Sequence, residues 1–396
     1  MPVEKRNVYL DHAATTPVDP AVVEAMLPVF NEYWGNPSSL YERGRDALNL
    51  METARAQVAG VLNCKPSEIV FNSGGSEGDN LALKGVALQA KLHGKGNHII
   101  TTAFEHHAVL HAAEYLEEFG IETTFLPVSS AGLVDPQEVE RAIRPGQTAL
   151  VSIIYANNEI GTMQPLAEIA RITRQHGILF HTDAVQAAGN LPLDVQALGV
   201  DLLSLSSHKF YGPKGVGIFY VRQGVEKQLL FQQQGGSQER KRRAGTENVP
   251  YIVGTAKALT MAEENRPAYV ERVRQLRDRL LAGIQERIPG VHLNGTYEAD
   301  KRLANNINLC FEGIGEDGLL QALDLQGISA SSGSACNSGA IEPSHVLKAL
   351  GTPDELALGT LRLTLGKGTT AEDVDYVLDR LPGIVSRMRA LSELAV

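Results

Sequence analysis

Between residues 68 and 222, short apolar runs alternate with helical stretches, and that alternation leaves few ways for the chain to fold. The β-like runs are 68–72, 98–102, 121–125, 148–155, 178–183, 201–206 and 216–221, with helical patterns through 80–88, 107–119 and 165–176. The segment Thr148-Ala-Leu-Val-Ser-Ile-Ile-Tyr is apolar nearly throughout, as expected of a strand buried on both faces. These runs predict an α/β domain with a largely parallel sheet covered by helices on both sides. From about residue 251 the texture changes. A helical stretch is predicted over about 268–287, with Pro267 suited to its start. Two β-like runs at 305–311 and 361–365 and a helix at about 371–391 follow. With 396 residues, two domains are expected: a large one over 16–262, and a smaller α+β unit from 1–15 and 263–396.

Charge and cysteine use narrow the class. A net charge of -10 argues against nucleic acid or an anionic membrane as the main partner. No apolar run approaches the roughly 20 residues a membrane span needs. The opening Met-Pro-Val-Glu-Lys-Arg is followed by no secretory apolar region, so a cytoplasmic protein is expected. The three cysteines, Cys64, Cys310 and Cys336, show no Cys-x-x-Cys spacing, which favours free thiols over disulfides or a cysteine-rich zinc site. His107 and His111 have the i,i+4 spacing of helical zinc ligands, but no glutamate lies between them and no third ligand is evident, so no metal is expected. The basic run Glu239-Arg-Lys-Arg-Arg reads as a solvated loop.

In open α/β sheets, ligands bind beyond the carboxyl ends of the strands. Unusual polar residues collect at the predicted ends. Asn72-Ser-Gly-Gly-Ser-Glu-Gly-Asp joins a strand to a helix, and its glycines let backbone N–H groups approach a phosphate. Alone, the same segment is ordinary turn chemistry. His181-Thr-Asp183-Ala-Val-Gln186 ends another strand; Asp183 there suits either a helix cap or a carboxylate paired with a pyridinium nitrogen. The next strand ends in Ser206-Ser-His208-Lys209, a context that suits a Schiff-base lysine beside a phosphate site. Cys336, in Ser331-Ser-Gly-Ser-Ala-Cys, is either a small turn residue or, given that lysine site, a nucleophile on a mobile loop.

An acid on one strand, a lysine on the next and a glycine turn before them form the layout of a fold-type I pyridoxal-phosphate enzyme. The chain resembles the cysteine desulfurases of the NifS/IscS group. The matching segments are Tyr9-Leu-Asp-His-Ala-Ala-Thr-Thr-Pro, Asn36-Pro-Ser-Ser, Asn157-Asn-Glu-Ile-Gly, His181-Thr-Asp-Ala-Val-Gln, Ser207-His-Lys-Phe-Tyr-Gly-Pro-Lys-Gly, Arg243-Ala-Gly-Thr-Glu-Asn and Ser331-Ser-Gly-Ser-Ala-Cys, in order along nearly the whole chain. The resemblance implies pyridoxal 5'-phosphate as cofactor, held by Lys209, with Asp183 on the pyridine nitrogen and Gln186 on the phenolic oxygen. It implies that His106 stacks on the ring and helps move protons, and that Gly75, Ser76, Ser206 and His208 hold the phosphate. Thr246 would reach the phosphate of a neighbouring subunit, hence a homodimer. Asn157 would lie near ring and substrate, Asn36 near the substrate, and Arg362 would bind its carboxylate. Two positions depart from the family's pattern: Ser76, often threonine, and Gly78, often serine.

Desulfuration of L-cysteine to L-alanine would leave a persulfide on Cys336, passed on to acceptors such as an iron–sulfur scaffold, with tRNA thiolation as a further destination. A free cysteine is only a few per cent thiolate at neutral pH, so the site must activate this thiol. The rival readings are a related aminotransferase or Cβ-lyase, a selenocysteine lyase, and a sulfur carrier without cofactor.

Overall fold

The structure is a computed structural model that describes residues 6–315, 318–332 and 343–394. Seven strands form the central sheet in the order Ile69–Asn72, Gly217–Val221, Leu202–Ser206, Leu179–Asp183, Thr148–Ser152, His98–Thr102, Glu122–Leu126. Gly217–Val221 alone runs against the direction of the other six strands, so the sheet is mixed but mostly parallel. The strands alternate between two cores, as a sheet buried on both faces requires. Phe71, Ile100, Val151, Phe180, Leu203 and Ile218 enter one core, while Val70, Ile99, Leu150, Leu179, Leu202 and Phe219 enter the other.

The C-terminal part builds a second unit around the antiparallel strands Val291–Leu293, Asn306–Phe311 and Thr360–Thr364. Its core gathers Ile307, Leu309, Leu361 and Leu363 with residues of the helix Ala371–Leu394. The N-terminal strand Val8–Tyr9 pairs in parallel with Ile328–Ser329 and contributes to the same core.

One element departs from the sequence expectation. Pro267 does not start a helix; it lies inside a continuous 39-residue helix, Val249–Arg287. A proline inside a helix lacks an N–H donor and crowds the preceding turn. Packing outweighs that cost, because Val249, Ile252, Ala256 and Leu259 bury in the large core and Val273, Leu280 and Ile284 in the smaller one. The boundary expected at 262/263 therefore falls within an unbroken helix.

Candidate active site

The strand ends converge as expected. A cavity of about 440 Å3 opens at the carboxyl edge of the sheet, lined by Gly75, Ser76, His106, Asp183, Gln186, Ser206, His208, Lys209 and Arg362. Asp183 is the last residue of Leu179–Asp183, Ser206 ends Leu202–Ser206, and Lys209 closes the short turn Ser207–Lys209. Arg362 enters from the second unit, on Thr360–Thr364. His106 caps the helix His107–Glu117; its Nδ1 accepts the Ala108 N–H at 3.1 Å, so the proton of the neutral ring sits on Nε2.

The N-terminal segment completes the wall. Lys209 Nζ donates to the carbonyls of Ala13 and Ala14, the latter at 2.8 Å. Gln186 Nε2 donates to the Ala13 carbonyl at 2.9 Å, and His208 Nδ1 lies 3.0 Å from Thr15 Oγ1.

Three observations test whether these residues suit pyridoxal phosphate. Burial pushes the Asp183 carboxyl up to about 6, a group best ionised opposite a cationic N–H such as a pyridinium. Burial, and then the Lys209 cation, push His106 down to about 4, leaving a neutral ring suited to stacking. Gly75 and Ser76 open the 18-residue helix Gly75–Leu92, whose first N–H groups lack intrahelical acceptors and suit a phosphate. A Cβ on Gly75 would come within 2.6 Å of Val185 Cγ2, so the close approach there needs glycine. The residues fit the cofactor.

At the other end, Arg362 Nη2 donates to Asp11 Oδ1 at 2.8 Å and Nη1 to the Asn158 carbonyl at 3.2 Å. Its Nε is buried without a partner, a donor suited to a carboxylate. Two further carboxyls are fully buried nearby. Burial raises Glu105 to about 8 and Glu159 to about 7. Thr102 Oγ1 and the Ile154 N–H donate to Glu105 Oε1, while Ser344 Oγ donates to Glu159 Oε2 at 2.6 Å.

Several expected residues lie elsewhere. Asn157 is fully buried but does not line the cavity. Its Nδ2 donates to the Phe104 carbonyl at 2.8 Å and its Oδ1 accepts the N–H groups of Glu159 and Ile160, which makes it a brace for the loop behind the site. Asn36 is exposed and caps its own turn through Ser38 N–H. Thr246 is exposed and outside this cavity. Cys336 lies outside the described residues. The basic run is no free loop at its start: Glu239 is buried in a two-pronged pair with Arg55, and Arg243 Nε meets Glu77 at 3.1 Å.

The structure adds residues that sequence reasoning passed over: Asp11, Asp79, Glu105, Glu159 and His345. Asp11, Asp79 and Glu159 lie inside segments named in the sequence, so a signal was present. His345 was invisible, since only the fold brings it to 4.5 Å, ring centroid to ring centroid, from His107, which in turn stacks on His111 at 4.8 Å. Gly78 is also explained: a Cβ there would sit 2.7 Å from Ser204 Oγ.

The sequence matches the family described as Aminotransferase class-V over residues 8–377. It is 50% identical over 389 residues to a cysteine desulfurase IscS of Clostridium botulinum, covering 98% of this chain and 97% of that protein. A solved NifS-like protein superposes with a TM-score of 0.89 at 39% identity, covering 96% of this chain and 100% of that one. A structure described as SspA in complex with cysteine gives a TM-score of 0.80 at 38% identity, over 91% and 99% of the two chains. The chain belongs to the class-V aminotransferases, among the cysteine desulfurases.

Proposed function

We propose that this member of the class-V aminotransferase family is a pyridoxal-phosphate-dependent cysteine desulfurase that converts L-cysteine to L-alanine and takes up the sulfur as a persulfide on Cys336. The meeting of Lys209, Asp183 and Arg362 on one cavity carries the reading. The cysteine held by the SspA structure supports the substrate.

When bound, pyridoxal phosphate supplies the electron sink that loss of a β-substituent requires. Lys209 would hold it, Asp183 would face its ring nitrogen and Gln186 its phenolic oxygen, and Gly75, Ser76, Ser206 and His208 would hold its phosphate. Arg362 fixes the substrate carboxylate with its unpartnered Nε. The free Lys209 amine would take the Cα proton, assisted by His106. The Cys336 thiolate attacks the substrate sulfur: an S–S bond forms, the C–S bond breaks, and its electron pair stays with the carbon skeleton. Cβ takes up the proton given up by the Cys336 thiol, Lys209 returns the proton to Cα, and alanine leaves.

An apolar surface supports a homodimer. Val23, Leu27, Phe30, Tyr33, Trp34, Leu40 and Tyr41 are all exposed on the stretch from the helix Pro20–Asn31 to the start of the next. Monomeric surfaces rarely gather so much apolar area. In that homodimer Thr246 would take the role that the resemblance gives it, at the phosphate of the partner subunit. No helix among the described residues is long and apolar enough to cross a membrane. The cytoplasm and an iron–sulfur scaffold as sulfur acceptor complete the proposal.

Mass spectrometry of the protein after L-cysteine and alkylation tests it. One extra sulfur on the Cys336 peptide is expected, with none in Cys336→Ala. Undiminished turnover of L-cysteine by Cys336→Ala would overturn the persulfide route in favour of a lyase.

A further inference from the structure

Beneath the ring end of the cofactor site lies a second buried carboxyl that the reaction described above does not use. Asp79, on the first turns of Gly75–Leu92, is 1% exposed, and Asp183 is 4% exposed. Asp79, His106 and Asp183 each present a ligand atom within 4.8 Å of the others. Two carboxylates so close and so far from water cannot both be ionised; the pair shares a proton.

The surroundings decide which residue keeps it. Asp183 Oδ1 accepts the Val185 N–H at 2.9 Å, and the Lys209 cation favours its charged form. Asp79 Oδ1 has no hydrogen-bond partner. Its neighbour His181 stands 3.6 Å away, and burial keeps that ring neutral. The His181 nitrogens are already occupied by Ser152 Oγ at 2.8 Å and Ser204 Oγ at 3.1 Å. Burial first, and then the Asp183 charge, disfavour a charge on Asp79, against a hydrogen bond from the Ser204 side chain that favours it. The groups facing Asp79 are thus Asp183, His106, His181, Ser204 and the protonated Glu105; the Ser204 hydroxyl alone favours a charge there and burial outweighs it, whereas the Lys209 cation favours the charge on Asp183.

We propose that Asp79 is a positioning residue for the ring end of the site: it keeps its proton at neutral pH, so the Asp79–Asp183 pair carries a single negative charge, placed on Asp183. Asp79 then acts through Asp183, fixing how much charge faces the ring nitrogen. The inference rests on the cofactor reading above. Its first test needs no cofactor, so the two fail separately.

Infrared spectroscopy of the cofactor-free protein at pH 7, with aspartate carrying 13C in its carboxyl, gives the first readout. A protonated carboxylic C=O band that moves with the label is expected in the native protein. It should be lost in Asp79→Asn and kept in Asp183→Asn. The native spectrum alone suffices if a variant fails to fold, since absence of any labelled protonated band overturns the proposal. A band kept in Asp79→Asn and lost in Asp183→Asn also overturns it. As a second readout, Asp79→Asn should bind pyridoxal phosphate within about threefold of native, because a neutral group replaces a neutral group. Tenfold or greater weakening would mean that Asp79 had carried charge.

Discussion

The buried Arg55–Glu239 pair makes a quantitative test of how the sheet edge is tied to the loop that carries Thr246. Both side chains are 3% exposed. Arg55 Nη1 and Nη2 meet Glu239 Oε2 and Oε1 at 2.8 and 2.7 Å, and the same Oε2 accepts the Phe71 N–H at 3.1 Å. Glu239→Gln keeps the shape and an acceptor for Phe71 but takes the buried counter-charge from the guanidinium, leaving it the Ile69 carbonyl and the half-exposed Glu52, whose Oε1 lies 2.9 Å from Arg55 Nε. Breaking a buried pair from one side costs about 3–5 kcal/mol. With an unfolding entropy of about 2.1 cal/mol/K per residue, a chain of 396 residues should lose roughly 4–6 °C in melting temperature. Differential scanning calorimetry measures it. Adding Arg55→Met removes the buried charge that has lost its main partner and should recover about half of the loss. A fall below about 1 °C for Glu239→Gln, or a double variant no more stable than the single one, would refute the argument. The cost would then lie in the strained loop itself, where Glu239, Arg240 and Lys241 have φ of 45°, 58° and 65°.

Two further outcomes can be checked. Arg362→Lys keeps the charge but loses the planar fork, and loss of one charge-assisted hydrogen bond worth about 1.5–3 kcal/mol should lower kcat/KM for L-cysteine about 10- to 100-fold, seen as a raised KM. Glu105 enters the folded state protonated up to about pH 8, whereas its ordinary value is 4.5. The folded chain therefore holds a proton that the unfolded chain has released, and native stability should fall as pH rises between those values. Glu105→Gln, which keeps the oxygen facing Thr102 and Ile154, should flatten that decline in urea midpoints; a parallel decline would show that Glu105 ionises in place.

The strands of the large sheet were legible because each pays out its apolar residues alternately to two cores, as Val70 and Phe71 or Leu202 and Leu203 do. The candidate site was legible where chemistry sits at strand ends, as with Asp183 and Lys209. It was not legible where distant segments meet. Nothing local in Ala13 and Ala14 announces that their carbonyls receive the Lys209 amine. Asp79 reads as one more helical acid until the sheet folds beneath it. Pro267 misled because its local cost is real, while the packing that outweighs it comes from residues far along the chain.

The helix Val249–Arg287 has a consequence for how the molecule comes apart. At 1.5 Å per residue it is about 58 Å long, and it is a structural wall of both cores at once. Neither core can melt without exposing half of a helix the other still needs. Severing the chain at the apparent seam would leave two fragments, each with an unroofed apolar groove. The two units are therefore expected to open as one cooperative body in exchange and proteolysis, and recombining either with a foreign partner would have to carry the whole helix across.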